Sequence, residues 1–357
     1  MRRRILLFSL LVGTVSGAPH LLGFLRYGRD YNPLLYDPWV VRAKAAPKYL
    51  HSFDHFLVDE TLAYARYTQE ILRGEWLGAS LDTYQPYLAS GSAAGSGWYR
   101  DRLGPGVLAL LAAAFGASVP AAFIAADFLF PALAAFCLLL LSRHFFSSLA
   151  GGVAAASLVL WFNWLDLVSL RDLVWGAPQF GPIFLRTPYP QLSTPIFVLF
   201  LLALIGLRRR ATIGRAALVA GALALNFYTY VYSWSFALAV MAAWLILLAI
   251  PQTAGQSAGR QSRGRLAALA AGSPLVAVVA AAPVWSPLLA PSQAIFDSFR
   301  RVGGDFTHRP ELTIAPLCAA ALGLAVVATF RGWSSGWFWM TYWLAAVAAT
   351  NQQVLRS

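Results

Sequence analysis

The sequence predicts an all-α, polytopic membrane protein, a helical bundle of about nine or ten spans with a long external first loop. Composition is the first reason. Of 357 residues, 59% are hydrophobic and only 12% are charged, and the mean hydropathy is +0.60. Soluble domains average about 25% charged residues, so half that density excludes a water-soluble globular domain, and disorder with it. The spacing of the apolar runs is the second reason, and the placement of the arginines is the third.

A spanning helix needs about 20 mostly apolar residues. Runs of that kind lie at 5–24, 120–141, 148–165, 190–207, 216–230, 232–250, 266–289, 313–330 and 337–349. A further run at 105–119 is apolar but short. The opening Met1-Arg2-Arg3-Arg4 and the small residues up to Ala18 allow either a signal peptide cleaved after Ala18 or a retained first span. The many runs that follow favour retention. Arg2–Arg4, Arg208–Arg210 with Arg215, and Arg260, Arg263 and Arg265 then face the cytoplasm by the positive-inside rule. The hairpin 216–250 turns on the outer side, around the aromatic stretch 230–234.

The net charge of +12, from 27 basic and 15 acidic residues, therefore reads as topology signals rather than a nucleic-acid footprint. Cys137 and Cys318 both sit in apolar runs, which excludes a disulfide framework and a zinc cluster. The whole chain, 1–357, reads as one transmembrane domain: a first span at 5–24, an external loop with interfacial helices at 25–104, and the remaining spans over 105–349. Thr350-Asn351-Gln352-Gln353-Val354 reads as a helix end that would normally continue, as in a truncated chain. Residues 252–264, rich in Gly, Ser, Gln and Arg, read as a flexible cytoplasmic connector.

The first loop departs most from apolar character, holding nine of the fifteen acidic residues between Arg26 and Gly104. Loops of that length are usually functional. Within it, Asp59-Glu60-Thr61 opens a helix that runs to Arg73 and closes at Gly74, because Asp suits an N-cap, acids suit the positive helix end, and Gly suits the position after the last turn. Tyr64, Tyr67 or Thr68, and Ile71 recur at helical spacing, so the helix is expected to lie along the membrane surface with Tyr64 and Trp76 at headgroup depth. On residue chemistry alone Asp59 and Glu60 are either caps or functional acids. His51 and His55 share a helix face and read either as metal ligands or as solvated side chains. Arg100 and Arg102 read either as phosphate contacts or as an interfacial anchor.

The stretch Asp59-Glu60-Thr61-Leu62-Ala63-Tyr64-Ala65-Arg66, followed by Glu70-Ile71-Leu72-Arg73-Gly74-Glu75-Trp76, resembles the first-loop pattern of the GT-C superfamily of polyprenyl-phosphate-dependent glycosyltransferases. Leu103-Gly104-Pro105-Gly106 running to Phe115-Gly116 is similar to the start of the next span in that superfamily, and Tyr228-Thr229-Tyr230-Val231-Tyr232-Ser233-Trp234 resembles its uncharacterised bacterial and archaeal relatives. The resemblance implies a GT-C-like helical bundle in a bacterial-type inner or plasma membrane. It further implies transfer of a sugar from a lipid-linked donor, a polyprenyl-phosphate carrier, at the external face. Asp59 then is the catalytic base and Glu60 the second candidate; a carboxylate that takes the acceptor proton needs a tuned pKa. A divalent metal is a candidate cofactor, with no ligand assigned. The partners are the donor and membrane lipid, with no nucleic acid.

Ionisable groups inside spans prompt functional readings. Asp127 sits mid-span and reads either as part of a proton or substrate path or as a helix–helix hydrogen bond. Arg186 and Tyr189 fall in a proline-dense stretch between Pro178 and Pro190 that keeps out of regular helix. Irregular backbone at membrane depth must be buried or line a cavity, so Arg186 is the first candidate for the carrier phosphate, since guanidinium matches phosphate geometry. An ordinary external loop is the other reading. His308 suits phosphate binding, proton transfer or simple solvation. Tyr230, with Tyr228 and Trp234, suits sugar stacking or an interfacial aromatic belt. No phosphate-cradling loop, dinucleotide fingerprint or nucleophile elbow is present. The competing readings are a transporter or flippase of lipid-linked or small polar substrates, which Asp127 fits, and a non-catalytic relative of the superfamily.

Overall fold

The computed structural model describes residues 2–28, 64–65, 67–74, 103–146, 148–161, 191–229, 231–249, 260–282, 320–327 and 336–350. The regular elements among them are α-helices, and no strand occurs among the described residues. The long helices are α1 (Arg2–Tyr27), α2 (Leu103–Phe115), α3 (Val119–Ser142), α4 (Leu149–Trp161), α5 (Ser193–Arg209), α6 (Ile213–Phe227), α7 (Val231–Ala249), α8 (Arg260–Ala280) and α9 (Gly336–Thr350). Two compact units form, the first taking in the described residues up to Val198 and the second those from Leu199 onward.

Among the described residues two helices are long and apolar enough to cross a membrane, at Arg3–Leu25 and Val119–Ser142. At 1.5 Å per residue α1 and α3 measure roughly 39 and 36 Å, against about 30 Å of hydrocarbon. Shorter apolar helices occupy Leu103–Phe115, Ile213–Phe227, Ser233–Ala249 and Gly264–Ala280. The last begins earlier than the hydropathy suggests. Residues 260–264, expected in a flexible connector, form the first turns of α8, since Arg and Gln are good helix formers and no proline intervenes.

Unit 1 is organised by α1 against α3. The face of α1 turned inward carries Ile5, Ser9, Val12, Gly13, Ser16, Gly17 and His20, while Leu6, Leu7, Leu10, Leu11, Val15, Leu21 and Leu25 face outward. Small residues let the backbones approach closely, the logic of the G-x-x-x-G pattern. Gly13 lies against the carbonyl oxygen of Phe128 and Gly17 against its ring, so that a Cβ at either position would collide. On the same interface Ser9 Oγ donates to the Ile5 carbonyl at 2.9 Å. Ser16 Oγ, one turn below His20, is buried and has no partner among the described residues.

The connection from α2 to α3 is a glycine-capped turn. Gly116 has φ +57°, the left-handed conformation that glycine adopts without steric cost. Ala117 N donates to the Ala112 carbonyl at 2.8 Å and Gly116 N to Ala113 at 3.3 Å, the double bond of a Schellman cap. Ser118 then caps α3, its Oγ accepting from Ala121 N at 3.4 Å, with Pro120 in the first turn where no N–H is required. Ser142, near the end of α3, leaves room for Gly152 of α4.

The first-loop helix exists where the sequence places it, over the described residues of 64–72, and Gly74 ends it with φ +83°. Its environment differs from expectation. Tyr64, Ala65, Thr68 and Glu70 are all buried within the structure, so Tyr64 is a packing residue and not an exposed interfacial anchor. Thr68 Oγ1 donates to the Tyr64 carbonyl at 2.8 Å, which satisfies its hydroxyl and lets that face bury.

Unit 2 closes its α6–α7 turn with side chains. Asn226 Nδ2 donates to the Ala222 carbonyl at 2.8 Å and its Oδ1 accepts from Ser233 Oγ at 2.9 Å. Thr229 Oγ1 donates to the Asn226 carbonyl at 2.7 Å, and Phe227 stacks on Trp234 with centroids 5.3 Å apart.

Replacing Gly17 by Leu should lower stability by about 1–3 kcal/mol through overpacking, while Leu10→Ala, on the outward face, should change it by less than about 0.5 kcal/mol. Thermal unfolding of the full chain in detergent, followed by helical circular dichroism, checks the pair. Equal effects would remove the close α1–α3 approach.

Candidate functional site

A polar cluster is built inside unit 1 from three separate elements. α1 supplies His20, one turn above Ser16 and on the face that Gly13 and Gly17 press against α3. α3 supplies Asp127, one residue before the Phe128 that receives both glycines. The third member, Gln191, stands in the turn just ahead of α5, where Pro195 fits the first turn of the helix. His20 Nε2 lies 2.7 Å from Asp127 Oδ2, and Gln191 Nε2 donates to Asp127 Oδ1 at 3.0 Å. An ionised carboxylate only accepts, so Nε2 carries the proton whenever Asp127 is charged. Ser193 and Thr194, buried beside Gln191 in sequence, bring two further hydroxyls to the same helix start.

Burial is unequal across the cluster. His20 is 4% exposed and Gln191 fully buried, whereas the Asp127 side chain keeps 22% of its surface. The two donors are sealed, and the carboxylate between them retains an open edge. Pro131 adds a backbone feature. It lies inside α3, four residues after Asp127, and proline has no N–H to return to the carbonyl at that position. The same residue thus presents a carboxylate and a backbone carbonyl that lacks its ordinary helical donor.

Chemically the cluster can exchange a proton between imidazole and carboxylate, or accept hydrogen bonds and positive charge at the open edge. Among the described residues no group of three or more His, Cys, Asp or Glu side chains converges on an ion-sized position.

Asp127 was legible as an ionisable group in a span, and the helix–helix hydrogen bond, one of its two readings, is present. His20 was not singled out. The signal for it is the run Ser9, Gly13, Ser16, Gly17 and His20 along one helix face, which marks a polar seam rather than a lipid face. Asp59, Glu60, Arg100, Arg102, Arg186, Tyr189, Tyr230 and His308, the residues to which the sequence points, all lie outside the described residues, as do His51 and His55. Of the aromatic turn, Tyr228 donates its hydroxyl to the Ala280 carbonyl at 3.1 Å and Trp234 packs on Phe227, so both serve the fold of unit 2. The chain matches no protein-family model, no curated protein and no solved structure.

Removing His20 alone should destabilise more than removing the pair. His20→Leu leaves a buried carboxylate short of a donor, an effect of about 3–5 kcal/mol for a broken buried pair; His20→Leu with Asp127→Leu should recover part of it. A double-mutant cycle on the full chain should give a coupling of roughly 0.5–3 kcal/mol. Additive effects would mean that the two side chains do not interact.

Proposed function

We propose that the chain is a multi-pass protein of a bacterial-type inner or plasma membrane that transfers a sugar from a polyprenyl-phosphate carrier to an acceptor at the external face. The observation that carries this reading is the buried helix of the first loop. Its described residues start at Tyr64, and Tyr64, Ala65, Thr68 and Glu70 are all withdrawn from solvent. A connector that merely joins two spans has no need to bury a helix face, whereas a loop that holds a carboxylate against a donor does. The leucine-covered outer face of α1 supports the membrane setting, since an apolar outside over a small and polar inside suits hydrocarbon and not water.

In this reading Asp59, with Glu60 as second candidate, takes the proton from the acceptor hydroxyl. The acceptor oxygen forms its bond to the anomeric carbon as the sugar–phosphate bond breaks, and the electron pair leaves with the carrier phosphate. Arg186, with Arg100 and Arg102, supplies the positive charge that this phosphate needs. Tyr189, Tyr230 and His308 complete the substrate side.

A second reading, a transporter or flippase of polar or lipid-linked substrates, is favoured by the His20–Asp127–Gln191 cluster. Intramembrane carboxylates mark proton and substrate paths, and Pro131 gives α3 the interrupted hydrogen bonding found where helices hold substrates.

Asp59→Asn, Glu60→Gln and Asp127→Asn separate the two. Loss of a general base typically lowers rate about 10²–10⁴-fold. Lipid-linked glycan product should fall by that order in Asp59→Asn at normal protein levels, and hold in Asp127→Asn. Lost uptake in Asp127→Asn with unchanged product in all three would overturn the enzyme in favour of the transporter.

A further inference from the structure

Unit 2 gathers its arginines at one end. α6 and α8 run parallel, because Ser273 Oγ donates to the Ala216 carbonyl at 3.2 Å near the start of α6 while Tyr228 Oη reaches the Ala280 carbonyl at 3.1 Å just beyond its end. α7 returns alongside them after the Asn226–Ser233 turn. α9 is antiparallel to α7, since Trp244 meets Trp337 at 6.2 Å and Phe236 meets Tyr342 at 5.3 Å between centroids. The N-termini of α6, α8 and α9 therefore point toward one end, with the start of α8 reaching roughly 15 Å past that of α6 at 1.5 Å per residue. The C-terminus of α5 joins them there, where the Arg208 guanidinium lies 4.2 Å over the Trp337 ring.

That end carries Arg208, Arg209 and Arg210 from α5 and its turn, Arg215 on α6, and Arg260, Arg263 and Arg265 on α8. Arg215 donates to the Gly206 carbonyl, tying the α5–α6 turn. Arg209, Arg210 and Arg265 are exposed, as is the apolar Ile213 between them in sequence. From Leu199 to Phe296 the sequence holds these seven arginines and no Asp or Glu. Guanidinium groups pair with phosphate in bidentate geometry, and Trp with Arg is the pairing of a membrane interface.

We propose that this end of unit 2 seats on an acidic phospholipid leaflet, with Arg209, Arg210 and Arg265 holding headgroup phosphates, Ile213 reaching the acyl boundary, and Arg208 fixed at headgroup depth by Trp337. The proposal rests on the multi-pass membrane reading above and is independent of sugar transfer. It commits to lipid phosphate as the anion. Arginine next to exposed apolar side chains, in a stretch of sequence without Asp or Glu from Leu199 to Phe296, suits a diester headgroup anchored by its own tails.

The test reconstitutes the full chain in bilayer discs of phosphatidylcholine and of a phosphatidylcholine–phosphatidylglycerol mixture, and counts co-purifying lipids by native mass spectrometry. Phosphatidylglycerol should be enriched around the protein relative to the bulk bilayer. Each basic residue near an acidic surface strengthens attraction roughly fivefold, so R209Q/R210Q/R265Q should reduce the enrichment by about tenfold or more, and R209K/R210K/R265K should keep most of it. In the wild type, raising salt from about 0.1 to 1 M shortens the screening length from about 10 to 3 Å and should reduce the enrichment without any substitution. An enrichment that survives both the Gln variant and high salt, or no enrichment in an inserted protein, would overturn the proposal. Displacement of the lipid by millimolar inorganic phosphate would do the same, in favour of a soluble-anion site. Failure of the chain to insert in either bilayer would overturn the membrane reading beneath it.

Discussion

The close approach of α1 to α3 determines what unit 1 can be. Gly13 and Gly17 bring the backbone of α1 against Phe128, and at that separation a histidine one turn further along reaches the neighbouring Asp127. A larger residue at either glycine would push the helices apart. Two further ångströms would convert a hydrogen bond of 2.7 Å into a contact that water or lipid must fill. The polar pair and the small-residue seam are therefore one device. The seam supplies proximity, the pair supplies direction, and Gln191 ties the same carboxylate to the start of α5.

Much of this helical organisation was legible in the sequence for a simple reason. Apolar runs bounded by Arg, Pro and Gly have little alternative to helix, so the run 120–141 became Val119–Ser142 and the run 337–349 became Gly336–Thr350. Gly74 was readable as well, because a left-handed position after a helix is where glycine belongs. The first-loop helix was placed correctly but its setting was not. Tyr64 has the chemistry of an interfacial anchor and of a core aromatic alike, and only the neighbours across the fold decide between them. The same limit explains His20. A lone histidine in an apolar run gives no indication of its partner, since Asp127 is 107 residues away and the register of two helices is set by packing that no local pattern encodes. The acids and arginines of the loops, Asp59 and Arg186 above all, carry their argument on chemistry and sequence pattern.

Charge is distributed unevenly along the chain, and the two units inherit the difference. Twelve of the fifteen acidic residues fall before Leu199, against fifteen of the basic ones, while the remainder of the chain has twelve basic residues and three acids. The described helices of unit 2 hold arginine and no carboxylate. Among the described residues, ion pairing between side chains does not order those helices. Their packing rests instead on apolar contact, on aromatic pairs such as Phe236 with Tyr342, and on the Ser273 hydroxyl that bonds to the Ala216 carbonyl of another helix.

Within unit 1 the sign is reversed at one point, and that point is where α3 is least regular. Pro131 withholds a donor from the Asp127 carbonyl, and the Asp127 side chain adds two more acceptor oxygens at the same level of the helix. His20 and Gln191 answer the carboxylate from two other elements. The two donors are sealed, while Asp127 retains 22% of its side-chain surface, which spares the carboxylate part of the cost of leaving water. The carboxylate is thus met by donors from two other elements and keeps part of its surface accessible. That asymmetry distinguishes the cluster from the other buried polar contacts described in the fold.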